Sequence, residues 1–380
     1  MKILLVEIGN VIGAQGGIEK VLANMANAMD NYGHEVVVMT FDKNSGYLFL
    51  PFHKSVRFVN LGEGIHISRT LINLQNVFYH DRNKKEWNRS YHVCKKMLPK
   101  IEQFIDKEKP DIIVCFEKHG VILFTDFIKP GIPVVAMFHS APKIILQNNY
   151  FHPYFSKVNC LQVLLPKDIE RVRQILPDAK NVVCIGNAVP QWQELVDYDN
   201  KKIITVSHVE PNVKRPHIIV EAFAEIAKKY SDWGLEIWGN DEYDVNYTKK
   251  IKTFIISHGL EQQVKLCGTT GNIKEKLYQA SIFVTASKYE GFHLGLAEAM
   301  SAGLATIGFN NCSAVNELIK DGRNGFLCED NIFDLAEKME TLILDKQLRE
   351  KFGKQGKENM LQYAPDRIWK EWEILFEKFH

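Results

Sequence analysis

The sequence predicts an α/β protein of two doubly wound domains, and three observations carry that prediction. Short apolar runs alternate with longer stretches of helical period along the whole chain. The runs are apolar at consecutive positions, the pattern of strands covered by helices on both faces. The alternation pauses near residue 190 and restarts after residue 200, leaving enough chain on each side for a separate sheet.

In the first half, "KILLVEI" (2–8), "EVVVMTF" (35–41), "DIIVCF" (111–116) and "PVVAMFH" (133–139) read as buried strands rich in Val and Ile. "GIEKVLANMANAMDNYG" (17–33) has helical period and follows the first of them. The second half gives "KIITVSH" (202–208), "GLEIWG" (234–239), "QVKLCG" (263–268), "SIFVTAS" (281–287) and "ATIGF" (305–309), with helices such as "HIIVEAFAEIAKKY" (217–230) between them. The boundary falls in "NAVPQWQELVDYDNKK" (187–202), where a proline, polar residues and charges mix. The expected domains are residues 1–190 and 191–360, with 361–380 a C-terminal helix packing back toward the first. Ligands of open α/β sheets bind beyond the carboxyl ends of the strands, so a ligand is expected in a cleft between the domains.

Composition narrows the function. Among 380 residues, 47 Lys and Arg balance 46 Asp and Glu, a net charge of +1 that argues against a dedicated nucleic-acid partner. The seven cysteines are scattered and form no CxxC pair, as expected of reduced core residues in a cytosolic protein. "MKILLVEIGNVIG" does not read as a signal peptide, because Glu7 interrupts its apolar run. No apolar stretch approaches the roughly 18 residues of a membrane span.

The most informative stretch is "SKYEGFHLGLAEAMSAG" (287–303), with Glu290 and Glu298 eight positions apart. Glu290 falls in a strand-to-helix loop, and Glu298 about two turns into a helix closed by Gly303. That helix has almost no polar face, so it is buried, and a buried carboxylate needs donors. Ligand hydroxyls are one source, and a neighbouring strand or helix is the other. The helix start also offers backbone N–H groups and a positive dipole end suited to phosphate. Strand end, helix N-terminus and two carboxylates together fit a phosphorylated, hydroxyl-rich ligand such as a nucleotide sugar.

"SKYEGFHLGLAEAMSAGLATI" resembles the E-x7-E motif of the retaining glycosyltransferase family 4, whose fold is GT-B: two Rossmann-like domains facing across a cleft. Other pieces match in order. "GGIEKVLANMANAMDNYGHEV" (16–36) resembles the family's glycine-rich loop and helix, and "VVAMFHS" (134–140) its histidine-bearing strand. "VVCIGNAV" (182–189) resembles the segment before the linker, "VEPNVKRPHIIVEAF" (209–223) the phosphate-binding lysine loop, and "NELIKDGRNGFL" (316–327) the segment after the motif. Residues 42–110 carry little of the resemblance.

The resemblance implies that Glu298 accepts hydrogen bonds from ribose hydroxyls and that Glu290 lies beside the donor sugar, with Phe292, His293 and Leu294 lining its pocket. Lys214 would neutralise the departing diphosphate, Gly16 and Gly17 would let backbone approach the phosphates, and His139 would face the reaction centre. The family usually has Gly-Arg where this chain has Ser207-His208, and a neutral histidine is no permanent phosphate partner. His208 and Arg215 are the two candidates for that role.

Two competing signals are weak. The glycines of "GNVIGAQGGIE" stand at 9, 13, 16 and 17, which does not give the GxGxxG of a nicotinamide site, and Asp42 after the second strand is a slight gesture toward ribose. "DYD" (197–199) has metal-motif spacing but lies in the linker.

Residues 65–100 hold eight Lys and Arg against two Asp and Glu, with Phe78, Tyr79, Trp87 and Tyr91 interleaved. They read either as a solvated helical face or as a surface for an anionic or lipid-linked acceptor. The resulting expectation is a retaining, metal-independent glycosyltransferase of the hexosyltransferase type, using no cofactor. Its donor is a nucleotide diphosphate sugar, a UDP-sugar first of all. Its acceptor is a glycan or lipid-linked hydroxyl, in surface polysaccharide or lipopolysaccharide synthesis. It would be cytoplasmic, or peripheral on the inner face of the membrane through residues 65–100. The alternatives are a non-catalytic binding partner of the same fold, or a GT-B epimerase or phosphorylase.

Overall fold

The computed structural model describes every residue except 10, 15, 45, 47, 49, 63–75, 78 and 380, so residues 65–75 and Phe78 of the basic stretch lie outside the described residues. The chain forms two compact units, residues 1–188 with 366–380, and residues 189–365.

In the first unit the described residues form a parallel sheet in the order β3-β2-β1-β4-β5-β6-β7. The strands are β1 (Lys2–Glu7), β2 (Glu35–Thr40), β3 (Arg57–Asn60), β4 (Ile112–Cys115), β5 (Val134–Met137), β6 (Cys160–Val163) and β7 (Val182–Cys184). β1 registers Val6 against Met39 on one side and Cys115 on the other, so the sheet's order turns between β1 and β4. Helices Gly17–Asn31 and Arg82–Glu108 bury apolar stripes containing Leu22, Met25 and Met29, and Met97, Ile101 and Phe104. Helix Pro365–Glu377 groups with this unit, where Glu373 meets His34 Nε2 at 2.6 Å.

In the second unit the order is β10-β9-β8-β11-β12-β13, again all parallel. Its strands are β8 (Lys202–Val206), β9 (Gly234–Trp238), β10 (Val264–Gly268), β11 (Ile282–Val284), β12 (Ala305–Phe309) and β13 (Gly325–Cys328). The order turns between β8 and β11. Helices Pro216–Ala227 and Ile332–Leu344 cover one another and the sheet with Phe223, Ile226, Leu335 and Met339.

All nine strands read from the sequence are present, most of them trimmed by a residue or more at an end. Four more strands carry weaker signals. β3 and β7 are half-buried edge strands of four and three residues, and β13 opens on a glycine. β6 is fully buried but interrupted by Gln162, whose side-chain NH2 donates to the carbonyls of Val163 and Ile185. Apolar periodicity does not register such a residue.

Candidate active site

Both loops that the sequence singled out hang from the turning point of the second sheet, where ligands of such sheets bind. The lysine loop leaves β8 and the glutamate loop leaves β11, the adjacent strand. A backbone bond from Lys288 N to Val213 O, 2.8 Å, ties the loops together. The lysine loop is shaped by Glu210, 9 % exposed, whose carboxylate accepts from Asn212 N at 2.9 Å, Val213 N at 2.7 Å and Lys214 N. Sequence reading missed Glu210. Its signal is a glutamate just before Pro211 in a strand-to-helix loop, a carboxylate set to gather loop N–H groups.

That loop delivers the Lys214 ammonium directly onto the Glu290 carboxylate. Burial alone would raise the Glu290 carboxyl. The Lys214 charge, aided by hydrogen bonds from Lys214 and Ser287, holds it below its ordinary value. Lysine and carboxylate therefore form a closed ion pair at the strand ends.

His293 shapes the start of the glutamate helix. It sits in the left-handed region (φ 67°) as the N-cap of helix Leu294–Ala302, and its Nδ1 accepts from Leu296 N at 3.2 Å. The ring proton is thereby assigned to Nε2, which donates to Thr285 Oγ1 at 2.7 Å and lies 3.9 Å from Glu290 Oε1. Burial lowers its pKa to about 4, so the imidazole is neutral and holds the helix start in place. Gly295 brings that start against β8: a Cβ there would lie 3.0 Å from Val206 O.

The helix itself matches its reading in burial and in its end, with Leu296 to Ala302 buried and Gly303 in the left-handed region at φ 89°. Glu298 is 3 % exposed and is the fifth helical residue, a little over one turn in where two turns were expected. Leu294 opens the helix half-exposed. The Phe292 ring is 2 % exposed and packs edge-on against Tyr363 at 4.9 Å.

The two candidates for the vacant arginine role part company. Arg215, in the left-handed region at φ 51°, turns from Lys214 to pair with Asp330 at 3.0 Å, donate to Ala286 O at 2.9 Å and stack over Phe309. His208 has a buried Nδ1 with no partner, and its ring stacks on Tyr243 at 5.5 Å. Burial, then the Lys214 charge, lowers its pKa, so it is neutral in the free protein.

The remaining expected residues belong to the first unit. His139 follows β5, stacked on Phe116 at 5.1 Å, with Nε2 buried and unpartnered and its pKa lowered to about 4 by burial. Gly16 caps helix Gly17–Asn31, and a Cβ on it would lie 2.3 Å from Glu19 Oε2, so the Glu19 carboxylate already occupies that helix start. Glu7, at the end of β1, accepts from Gly9 N at 2.9 Å and leaves Oε2 buried without a partner. Asp42 has a structural task, accepting from Val11 N and Ile12 N, each at 2.8 Å. The DYD stretch is structural too: Asp199 pairs with Lys346 at 2.5 Å and the Tyr198 hydroxyl donates to Gly303 O at 2.9 Å. Among the described residues no cluster of three His, Cys, Asp or Glu side chains is arranged to hold a metal ion. No described helix is long and apolar enough to cross a membrane.

The fold and this site define a GT-B enzyme of the sugar-transferring class. The chain belongs to the glycosyltransferases: residues 15–208 match the model of Glycosyltransferase Family 4, and residues 191–359 that of the glycosyl transferases group 1. It is 25 % identical to the poly(ribitol-phosphate) alpha-N-acetylglucosaminyltransferase of Staphylococcus aureus, over 91 % of this chain and 68 % of that one. Among solved structures it resembles the sucrose-phosphate synthase of Thermosynechococcus elongatus, with a TM-score of 0.81 at 16 % identity over 99 % of this chain and 98 % of that one. It also resembles Anabaena HepE, solved with UDP and glucose, with a TM-score of 0.75 at 18 % identity over 99 % of each chain.

Proposed function

We propose that the chain is a retaining, metal-independent hexosyltransferase that moves a sugar from a UDP-sugar to a hydroxyl of a cell-surface glycan, polyol-phosphate or lipid-linked acceptor, at the cytoplasmic face. The observation that carries this reading is the Lys214–Glu290 pair, set between two adjacent strand ends beside a helix N-terminus. A diphosphate entering there exchanges partners with Glu290 for the ammonium and takes the free N–H groups of the helix. Glu290, released from Lys214, is then free to accept from hydroxyls of the donor sugar, and Glu298 from those of the ribose. Relatives support the wider class: the Staphylococcus enzyme is named for a polyol-phosphate acceptor, and HepE was solved with UDP.

In the reaction the bond from the anomeric carbon to the β-phosphate oxygen breaks, and its electron pair leaves with UDP. The acceptor oxygen bonds to the same face of that carbon, and its proton passes to the departing phosphate. Lys214 stabilises the charge that develops on the leaving group. Family membership favours this reading over a non-catalytic partner.

A thermal-shift panel of nucleotides and nucleotide sugars tests donor choice, since a ligand that binds only the folded state raises its melting temperature. The donor selected is then incubated with acceptor glycans, with and without EDTA, and the anomeric configuration of the product is read by NMR. Stabilisation by UDP-sugars, EDTA-insensitive transfer and retained configuration are expected. An inverted product, or activity that EDTA abolishes and Mn²⁺ or Mg²⁺ restores, refutes the corresponding part.

A further inference from the structure

A second hollow, of about 500 Å³, opens in the second unit where helices Pro216–Ala227 and Ile332–Leu344 begin. Its volume falls in the range of small-molecule sites. Arg215, Glu221, Asp330 and Phe333 are among the side chains that line it, and Lys214, Glu290 and Glu298 are not.

The polar side of the hollow is held in place. Arg215, its backbone left-handed at φ 51°, is fixed by Ala286 O at 2.9 Å, by Asp330 at 3.0 Å and by the Phe309 ring 5.3 Å beneath it. Its Nη2 is nevertheless buried without a partner, and a buried donor is costly until an acceptor reaches it. Asp330 is held in turn by Asn311, whose Nδ2 donates to it at 3.0 Å. Asn331 pins the second helix by accepting from Asp334 N at 2.9 Å. Phe333, the next residue but one, is 73 % exposed, a large apolar ring standing in water at the rim.

This set selects a ligand by its chemistry. A simple anion meets the Glu221 and Asp330 carboxylates, and a simple cation meets Arg215 and the positive ends of two helices. A hydroxyl suits both kinds of group, since it donates to a carboxylate and accepts from a guanidinium N–H. The phenyl ring adds a flat surface with a negative face, which the C–H groups of a sugar ring cover. Many hydroxyls beside an apolar ring face describe a neutral saccharide.

We propose that this hollow is a second saccharide site, which holds a neutral glycan segment with its hydroxyls on Arg215 and Glu221 and one sugar face on Phe333. It concerns a glycan that is held, and it stands apart from the donor reading above. In a glycosyltransferase, a hold on the glycan away from the reacting bond raises the local concentration of acceptor ends.

The test uses the full chain as wild type, Phe333→Ala and Glu221→Gln, titrated with maltotriose, tri-N-acetylchitotriose, inorganic phosphate and putrescine, with binding read by saturation-transfer NMR. A fourth variant, Phe333→Trp, reports locally through its emission relative to wild type. Circular dichroism checks folding, which substitution of so exposed a ring leaves intact. Expected are binding of at least one trisaccharide, a loss of about tenfold or more in Phe333→Ala, a smaller loss in Glu221→Gln, and a saturable emission change in Phe333→Trp. UDP affinity should be equal in all four proteins. Absence of trisaccharide binding, or equal affinity in wild type and Phe333→Ala, overturns the site. A response of Phe333→Trp to phosphate or putrescine alone also overturns it, because the hollow then takes a charged ligand. A wild-type chain that binds the trisaccharide through Phe333 but no UDP overturns the donor reading and leaves the second site standing.

Discussion

Replacing Lys214 with methionine removes one charge from the Lys214–Glu290 pair while keeping most of the side chain's volume. Two unit charges in contact near a protein surface interact with about 4 kcal/mol at an effective dielectric of about 20. Removing one partner of a fully buried pair costs about 3–5 kcal/mol. Here Lys214 is 23 % and Glu290 12 % exposed, so solvent screens part of that, and a loss of about 2 kcal/mol is expected. In a unit of this size it lowers the melting temperature by about 4–8 °C. The sign with pH follows from Glu290, whose carboxyl Lys214 holds low in the folded protein. Such a group contributes stability above its unfolded value of about 4.3 and loses it as pH falls through its folded value. The penalty of the lysine variant is therefore full at pH 7 and shrinks below about pH 4. Thermal unfolding of wild type, Lys214→Met, Glu290→Gln and the double variant, at about pH 3 and about pH 7, measures both quantities. The double variant should be less destabilised than the sum of the singles by about 1 kcal/mol at pH 7. Additive losses, or an equal lysine penalty at both pH values, would refute the ion pair. The same variant should lose at least about tenfold in turnover, because a charge-assisted contact to the leaving phosphate is worth about 2 kcal/mol.

Glu298→Gln should weaken donor binding in calorimetry with the circular dichroism spectrum unchanged, and an unaltered affinity would remove Glu298 from the ribose. Glu7 is pushed up to about 8, first by burial and then by the Glu117 charge, so the folded state holds its proton more tightly than the unfolded chain. Stability tied to it is complete below about pH 4.3 and drains away as pH rises toward 8, on the order of 3–4 kcal/mol by neutrality. Glu7→Gln should therefore gain on the wild type in melting temperature from pH 5 to 8, and parallel pH profiles would contradict this. Replacing Lys84, Lys85, Lys95 and Lys96 with serine should weaken transfer to a lipid-linked acceptor and vesicle pelleting at low salt, while sparing UDP binding. Of these, Lys95 and Lys96 are exposed. Trp87 and Tyr91 instead pack on Tyr154 and Phe127, so any membrane contact here rests on charge more than on these rings. Unchanged acceptor kinetics and no pelleting in either protein would leave an ordinary solvated helix.

The two-sheet architecture was legible in the sequence by itself, because seven of the nine strands read from it are buried and apolar at consecutive positions, while β9 and β10, which carry Glu236 and Lys265 and are partly open, were found through their Leu, Ile and Val. The sequence also determined the buried glutamate helix: Glu298 stands among Leu, Ala and Met, and Gly303 marks the end. It brought Lys214 and Glu290 forward as separate candidates, since each lies in a strand-to-helix loop. Their direct pairing came only from the tertiary structure, because residues 76 positions apart meet only when β8 and β11 become neighbours. The division of labour within single stretches was decided there as well. Lys214 and Arg215 are consecutive, yet the left-handed backbone at Arg215 sends one toward Glu290 and the other toward Asp330. His293 became a helix cap and Phe292 a core residue for the same reason: orientation in a loop depends on partners far away in sequence. Glu210, Glu7 and the His208–Tyr243 stack were silent in one dimension, because each acts through a hydrogen bond or a ring contact, and neither leaves a period in the sequence.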